Sequence, residues 1–268
     1  MINSIKTVIS ENLANYKITL RLATFEAKNQ HKGSFLGVLW NVINPAIQIF
    51  IFWFVFNIGI RGGEPIGNLP FLIWLMAGLI PWFYMSSMLT GTANSLRQYK
   101  GIISNIKLPL SIVPIKSIFS FLIHHLTTML IYFVVFFMYR LTPTFHIVFV
   151  LYYLIAIIAF FLGWALLSSA ITVLFPDFNK FLGSVVRLIF FVSPIMWSFD
   201  NLPRHISQIL RLNPLAYIVE GYRHALLFGN SPLAHWRQGL YFWVISLILF
   251  AVGSYTHCRL RKKFVDLL

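Results

Sequence analysis

The chain has 268 residues, 58% hydrophobic and only 10% charged, with 27 Phe among them. A soluble domain carries about a quarter charged residues and needs a polar shell, so this composition excludes a water-soluble globule and points to a bilayer. The formal net charge of +14 sits mainly between and beside long apolar runs, which favours anionic lipid headgroups over nucleic acid as the counter-charge. Cys258 is the sole cysteine, so neither an intrachain disulfide nor a Cys-rich metal site can form.

In chain order, the first expected element is an amphipathic arm, 1–34. Ile5, Val8, Ile9, Leu13, Tyr16 and Leu20 recur at helical spacing with Lys6, Glu11 and Lys17 between them, the pattern of a helix lying along a membrane surface. Six apolar windows follow in 35–258, each meeting or approaching the roughly 20 residues that a bilayer core requires. They run from about Phe35 to Ile60, Leu69 to Gly91, Ile112 to Tyr139, Phe145 to Phe175, Phe181 to Phe199 and Gln238 to Cys258. A basic tail, 259–268, ends the chain.

With six spans both termini share a side. That side collects 13 Lys and Arg residues against six opposite, which assigns both termini to the cytoplasm. Between the fifth and sixth spans, 200–236 has a different character. Asn213-Pro214 reads as an N-cap followed by Pro at the first helical position, opening a helix that stops at Gly229. At 1.5 Å per residue, Pro214 to Phe228 reaches only about 22 Å, so an interfacial or re-entrant outer hairpin is expected rather than a seventh span. The expected fold is thus an all-α membrane protein of six transmembrane helices, with an interfacial arm and an outer hairpin.

The seven acids, Glu11, Glu26, Glu64, Asp177, Asp200, Glu220 and Asp266, all avoid the middle of the windows. That disfavours a membrane transferase, which needs carboxylates for metal or base, and an ion-coupled flippase, which places an ionisable group at mid-membrane. His124 and His125 are the exception, read as neutral side chains bonded to neighbouring helices in preference to a proton relay. Arg187 in the fifth window either snorkels or lines a path for an anionic headgroup. No G-x-x-x-x-G-K-[ST] loop occurs, so ATP hydrolysis by that machinery belongs to another polypeptide.

Three stretches carry a resemblance. Glu26-Ala27-Lys28-Asn29-Gln30-His31-Lys32-Gly33-Ser34-Phe35-Leu36-Gly37-Val38-Leu39-Trp40, with Asn44-Pro45 after it, resembles the lead into the first span of ABC-2 permeases that export O-antigen, capsule and teichoic acid polymers. His31 departs from that family's more frequent Tyr and Phe25 from its Arg. The stretch from Ile102-Ile103 through Lys107-Leu108-Pro109 to Pro114 is similar to the family's coupling loop, and Arg261 to Leu268 to its basic ending. Asn213-Pro214 with Glu220 and Arg223 looks like its outer hairpin.

The resemblance implies a homodimer bound to two ATP-binding-cassette ATPase subunits, which hold the ATP and magnesium; no cofactor is expected on this chain. It also implies a lipid-linked polymer passing outward through the plasma or inner membrane. Length and wording are most similar to wall teichoic acid exporters, with O-antigen or capsule polysaccharide as the alternative cargo. Arg97, Lys100, Ile102, Ile103 and Lys107, within a coupling segment 96–109, are expected to seat in the ATPase. Trp40, Phe52 and Phe56, with Arg187, are expected along the substrate path, since aromatic faces stack on sugar rings. Glu220 and Arg223, three residues apart on one helical face, are expected to help close the exit.

Overall fold

The computed structural model describes residues 1–267 except 31, 61–63, 100, 102–108, 142–145 and 200–201, with the backbone alone at 38, 60, 262 and 265–267. These residues are almost wholly helical. The one β feature among them is a bridge between Ile66 and Leu69, around Gly67 at φ +58°.

The arm forms two helices, α1 (Ile2–Ala14) and α2 (Tyr16–Asn29), broken at Asn15. The sequence pattern alone had suggested one continuous helix. Asn15 donates its side-chain amide to the Glu11 carbonyl, offering the backbone a local partner that competes with helix continuation. Instead of lying free, α2 packs along the helix Ile112–Met138, and α1 packs against the end of the last helix.

Among the described residues, five helices are long and apolar enough to cross a bilayer. The first, α3 (Trp40–Trp53), continues as a π-helix, Phe54–Ile60. It begins five residues later than the apolar run suggested, because Gly37 takes a positive φ of +48° in the turn before it. Then come α4 (Phe71–Gln98), α5 (Ile112–Met138) and α6 (Ile147–Leu174). The last, α10 (Trp236–Leu267), runs through the stretch expected as a separate tail.

The fifth window differs from expectation. It yields α7 (Phe178–Val192), whose 15 residues rise about 22 Å, short of the roughly 30 Å hydrocarbon core. Ser193 is extended at φ −84° and ψ 152°, as the residue before Pro194 must be, and ends the helix there. The hairpin region holds α8 (Arg204–Leu210) and α9 (Pro214–Arg223). The Asn213 side chain accepts from the Leu215 amide, and after a π-turn, His224–Phe228, the chain leaves through Gly229 at φ +63°. The N-cap, the proline and the stop therefore stand where the sequence put them.

At the centre is α4. It is apolar on all sides, as a helix enclosed by others must be, and 78% of its membrane-length window is buried. By contrast, α3 lies at the edge, with 6% buried. α6 and α10 approach most closely at Gly163 and Gly253. A Cβ on Gly163 would sit 2.5 Å from the Phe250 amide nitrogen, so only a small residue lets the backbones meet.

The two ends of the bundle are distinct. Leu96 of α4, Val113 of α5, Ala170 and Val173 of α6 and Phe264 of α10 cluster at one end, beside the arm. At the other end the His146 amide, at the start of α6, donates to the Ala225 carbonyl of the hairpin. Both chain termini thus lie at the arm end.

Candidate functional site

The feature that composition least predicts is a polar cleft among apolar helices. Asn41, Asn44 and Gln48 recur at i, i+3 and i+7, so they share one face of α3. That face, with Trp40 and Pro45, closes a cavity of about 240 Å³. Its other walls are Phe83, Tyr84, Ser86 and Ser87 of α4 and Phe121, His124, His125 and Thr128 of α5, with Gln30 from the end of the arm.

The hydrogen bonds fix what this lining can offer. Ser86 and Ser87 donate to the Phe83 carbonyl at 3.1 and 2.8 Å, and Thr128 donates to the His124 carbonyl at 3.0 Å. Each hydroxyl has spent its proton on its own helix and keeps lone pairs to accept with. His125 is buried, stacked on Tyr84 and 3.1 Å from the Tyr222 hydroxyl of α9. His124 bonds to Gln30 of the arm. Both histidines therefore reach neighbouring helices, the arrangement preferred from sequence. Amide groups that donate and accept, hydroxyls that accept, and the Trp40, Phe83 and Phe121 rings suit a hydroxyl-rich ring with apolar faces. Among the described residues, no Asp, Glu, Lys or Arg lines the cleft.

A second cavity of about 370 Å³ adjoins it and shares Gln30 and Phe121. It leads toward the arm end past Glu26, Asn29, Gln98 and Tyr99. Gly91 keeps this passage compact, since a Cβ there would collide with the Phe121 ring.

Two clasps lie beyond the cleft. Lys116, wholly buried, pairs with Glu26 of α2 and lies 3.6 Å over the Tyr99 ring at the end of α4. Glu11 of α1 accepts two hydrogen bonds from Arg261 of α10, at 2.6 and 2.7 Å, and a third from Ser111 at 2.6 Å. Burial raises the Glu11 carboxyl. The bonds from Arg261 and Ser111, with the Arg261 charge, outweigh that and hold it below the usual carboxylate value.

The predicted site residues are dispersed. Trp40 lines the cleft, but Phe52 packs against Phe190 at 5.1 Å between ring centroids, and Phe56 is partly buried against the core. Arg187 is exposed on α7, donating to Ser184 at 3.2 Å. Arg97 is exposed in the last turn of α4, while Lys100, Ile102, Ile103 and Lys107 fall outside the described residues. Glu220 accepts from Arg211 at 3.0 Å. Arg223 is 6% exposed, donates at 2.8 Å to the carbonyls of both Pro194 and Ile195, and lies 3.6 Å over the Trp74 ring. It closes the turn that follows α7.

Residues 19–227 match the family model for ABC-2 type transporters. The chain belongs to the ABC-2 type transporter family. It is a multi-pass membrane protein. This ABC-2 chain is 30% identical over 246 residues to an O-antigen export system permease protein of Klebsiella pneumoniae, covering 91% of the chain and 92% of the relative. An O-antigen export system permease protein of Myxococcus xanthus is 24% identical, with 93% and 94% covered. A polysialic acid transport protein of Escherichia coli is 24% identical, with 80% and 83% covered.

Sequence reading missed Asn41, Gln48, Ser86, Ser87 and Thr128. The signal was present in α3 as three amides at helical spacing inside an apolar run. Attention to charge alone passes over it.

Proposed function

We propose that this chain is the permease of an ATP-driven exporter carrying a lipid-linked cell-surface polysaccharide outward across the plasma or inner membrane. The observation that carries the reading is the charge-free cleft of amides, hydroxyls and aromatic rings. It occurs in a chain similar over nine-tenths of its length to an O-antigen export permease. The relatives' names favour O-antigen or capsule over wall teichoic acid as the cargo class.

Two copies of the chain bind two ATP-binding-cassette ATPase subunits, which supply ATP and magnesium. The uncovered surface of α3 leaves room for the second copy. The shared end of α1 and α10 supports an even number of crossings, five from the long helices and a sixth from α7 with the segment after it. The Lys and Arg bias puts that shared end in the cytoplasm.

Arg97, Lys100, Ile102, Ile103 and Lys107 seat in the ATPase, Trp40 and the cleft receive sugar rings, and Arg187 meets the headgroup at the surface. Phe52 and Phe56 position α3. Glu220 and Arg223 hold the outer hairpin closed.

One reconstitution tests this. The permease and its ATPase are placed in vesicles with lipid-linked polysaccharide, and substrate-stimulated ATP hydrolysis and export are measured. Asn44→Leu with Gln48→Leu should abolish the stimulation while leaving basal hydrolysis. Ile102→Asp should leave hydrolysis without export. Full export by the cleft variant, or export by the permease with no ATPase present, overturns the proposal.

A further inference from the structure

Beneath the arm is a second cavity of a different kind. About 380 Å³ lies between Val8, Ile9, Leu13, Tyr16 and Leu20 of α1 and α2 and Ile115, Phe119, Leu162 and Phe250 of α5, α6 and α10. Its Asn and Thr side chains donate their protons within the protein. Asn12 donates to the Val8 carbonyl and to Ser111, and Thr19 donates to the Asn15 carbonyl. What remains is an apolar slot with open sides. Leu13, Tyr16 and Leu20 on its rim are 69%, 53% and 46% exposed, which water would penalise and hydrocarbon would not.

Charge is sorted around the slot. The arm's two acids both turn inward, Glu11 to Arg261 and Glu26 to Lys116. Lys17 and Arg21, at i and i+4, form a stripe beside the Tyr16 and Leu20 stripe on α2, and both are exposed. Neither makes a salt bridge among the described residues. Among the described residues, the unpaired charges beside the apolar rim are therefore cationic.

We propose that this groove is a binding site for one anionic phospholipid of the adjoining leaflet, with an acyl chain in the slot and its phosphate held by Lys17 and Arg21. The apolar walls accept any chain, and the two cations select the headgroup. Bound lipid fills the space that the break at Asn15 opens, and it anchors the arm to the bundle. The site is independent of the polar cleft and of the cargo, so it stands or falls apart from the exporter reading.

The test is photo-crosslinking. The permease carries p-benzoylphenylalanine in place of Phe119 and sits, with its ATPase, in vesicles of equal parts phosphatidylethanolamine and phosphatidylglycerol. After irradiation, adducts are identified by intact mass. The expected result is a ratio of phosphatidylglycerol to phosphatidylethanolamine adducts above the bulk ratio of the vesicles, by about fivefold for each cation near an anionic headgroup. Lys17→Gln with Arg21→Gln, both at exposed positions, should return the adducts to bulk proportions. Adducts at bulk proportions before the charges are removed mean ordinary boundary lipid and overturn the proposal. So does a polypeptide or polyprenyl adduct, or no lipid adduct while the same probe at lipid-exposed Leu130 labels.

Discussion

The clasp of Glu26 with Lys116 makes an asymmetric prediction. The two partners differ in burial: the Lys116 side chain is 0% exposed and that of Glu26 26%. Removing one member of a buried ion pair costs about 3–5 kcal/mol when the survivor stays buried. Glu26→Gln leaves the ammonium enclosed, with the Tyr99 ring 3.6 Å away to return about 2 kcal/mol, so a net cost of about 1–3 kcal/mol is expected. Lys116→Met instead leaves a carboxylate that water already reaches, and the Met stem refills the space, so about 1 kcal/mol is lost. Thermal unfolding of the purified protein should show this as a drop of about 2–12 °C for Glu26→Gln and about 2–4 °C for Lys116→Met. The double variant should recover part of the Glu26→Gln loss, because no charge is then stranded. A Lys116→Met drop equal to or larger than that of Glu26→Gln would refute the reasoning.

Two further outcomes follow from the same structure. Because the folded-state pKa of Glu11 is depressed, its tie to Arg261 stabilises the protein above the ordinary carboxylate value, and that stability is lost as pH falls through the depressed value. Spin-label distances between α1 and α10 should stay fixed from neutral pH to that range and broaden below it; in Glu11→Gln they should be pH-independent. For the hairpin, Arg223→Lys keeps the charge but cannot donate to both the Pro194 and Ile195 carbonyls from a planar fork. Vesicles with this variant should leak small ions at rest, and vesicles as tight as the parent's remove Arg223 from the gate.

Much of the architecture was legible because hydrophobic length is a strong signal. Five of the windows became α3, α4, α5, α6 and α10, and Asn213-Pro214 with Gly229 bounded the hairpin helix through local capping chemistry that needs no tertiary information. The fifth window could not be sized from apolarity. Ser193-Pro194 cut the helix at Val192, yet Ile195, Met196 and Phe199 beyond it are still buried and still read as span. The site was less legible. Lys116 inside an apolar run gave no hint that its partner stands 90 residues earlier in the arm. Glu220 and Arg223 share a helical face, but tertiary carbonyls at the α7 turn and Arg211 of the preceding segment claim their side chains. Spacing identifies neighbours on one helix and is silent about what another helix presents to them.

The sorting of charge bears on how a polymer could move. Where acids are ion-paired across elements, they act as clasps at the bundle ends: Glu11 with Arg261, Glu26 with Lys116, and Glu220 with Arg211. Asp177 with Lys180 is exposed and local, a pair worth little. The cleft itself keeps amides, hydroxyls and rings. A neutral hydrogen bond nets about 1 kcal/mol and a charge-assisted one about twice that, so a ring of fixed charges would hold a repeating ligand in place at every unit. Passage requires each contact to be strong enough to admit a sugar and weak enough to release it. Adding a cation to the cleft, as in Gln48→Lys, should on this argument tighten binding of an anionic saccharide while slowing its export. Tighter binding with unimpaired export would mean that release from the cleft does not limit transport.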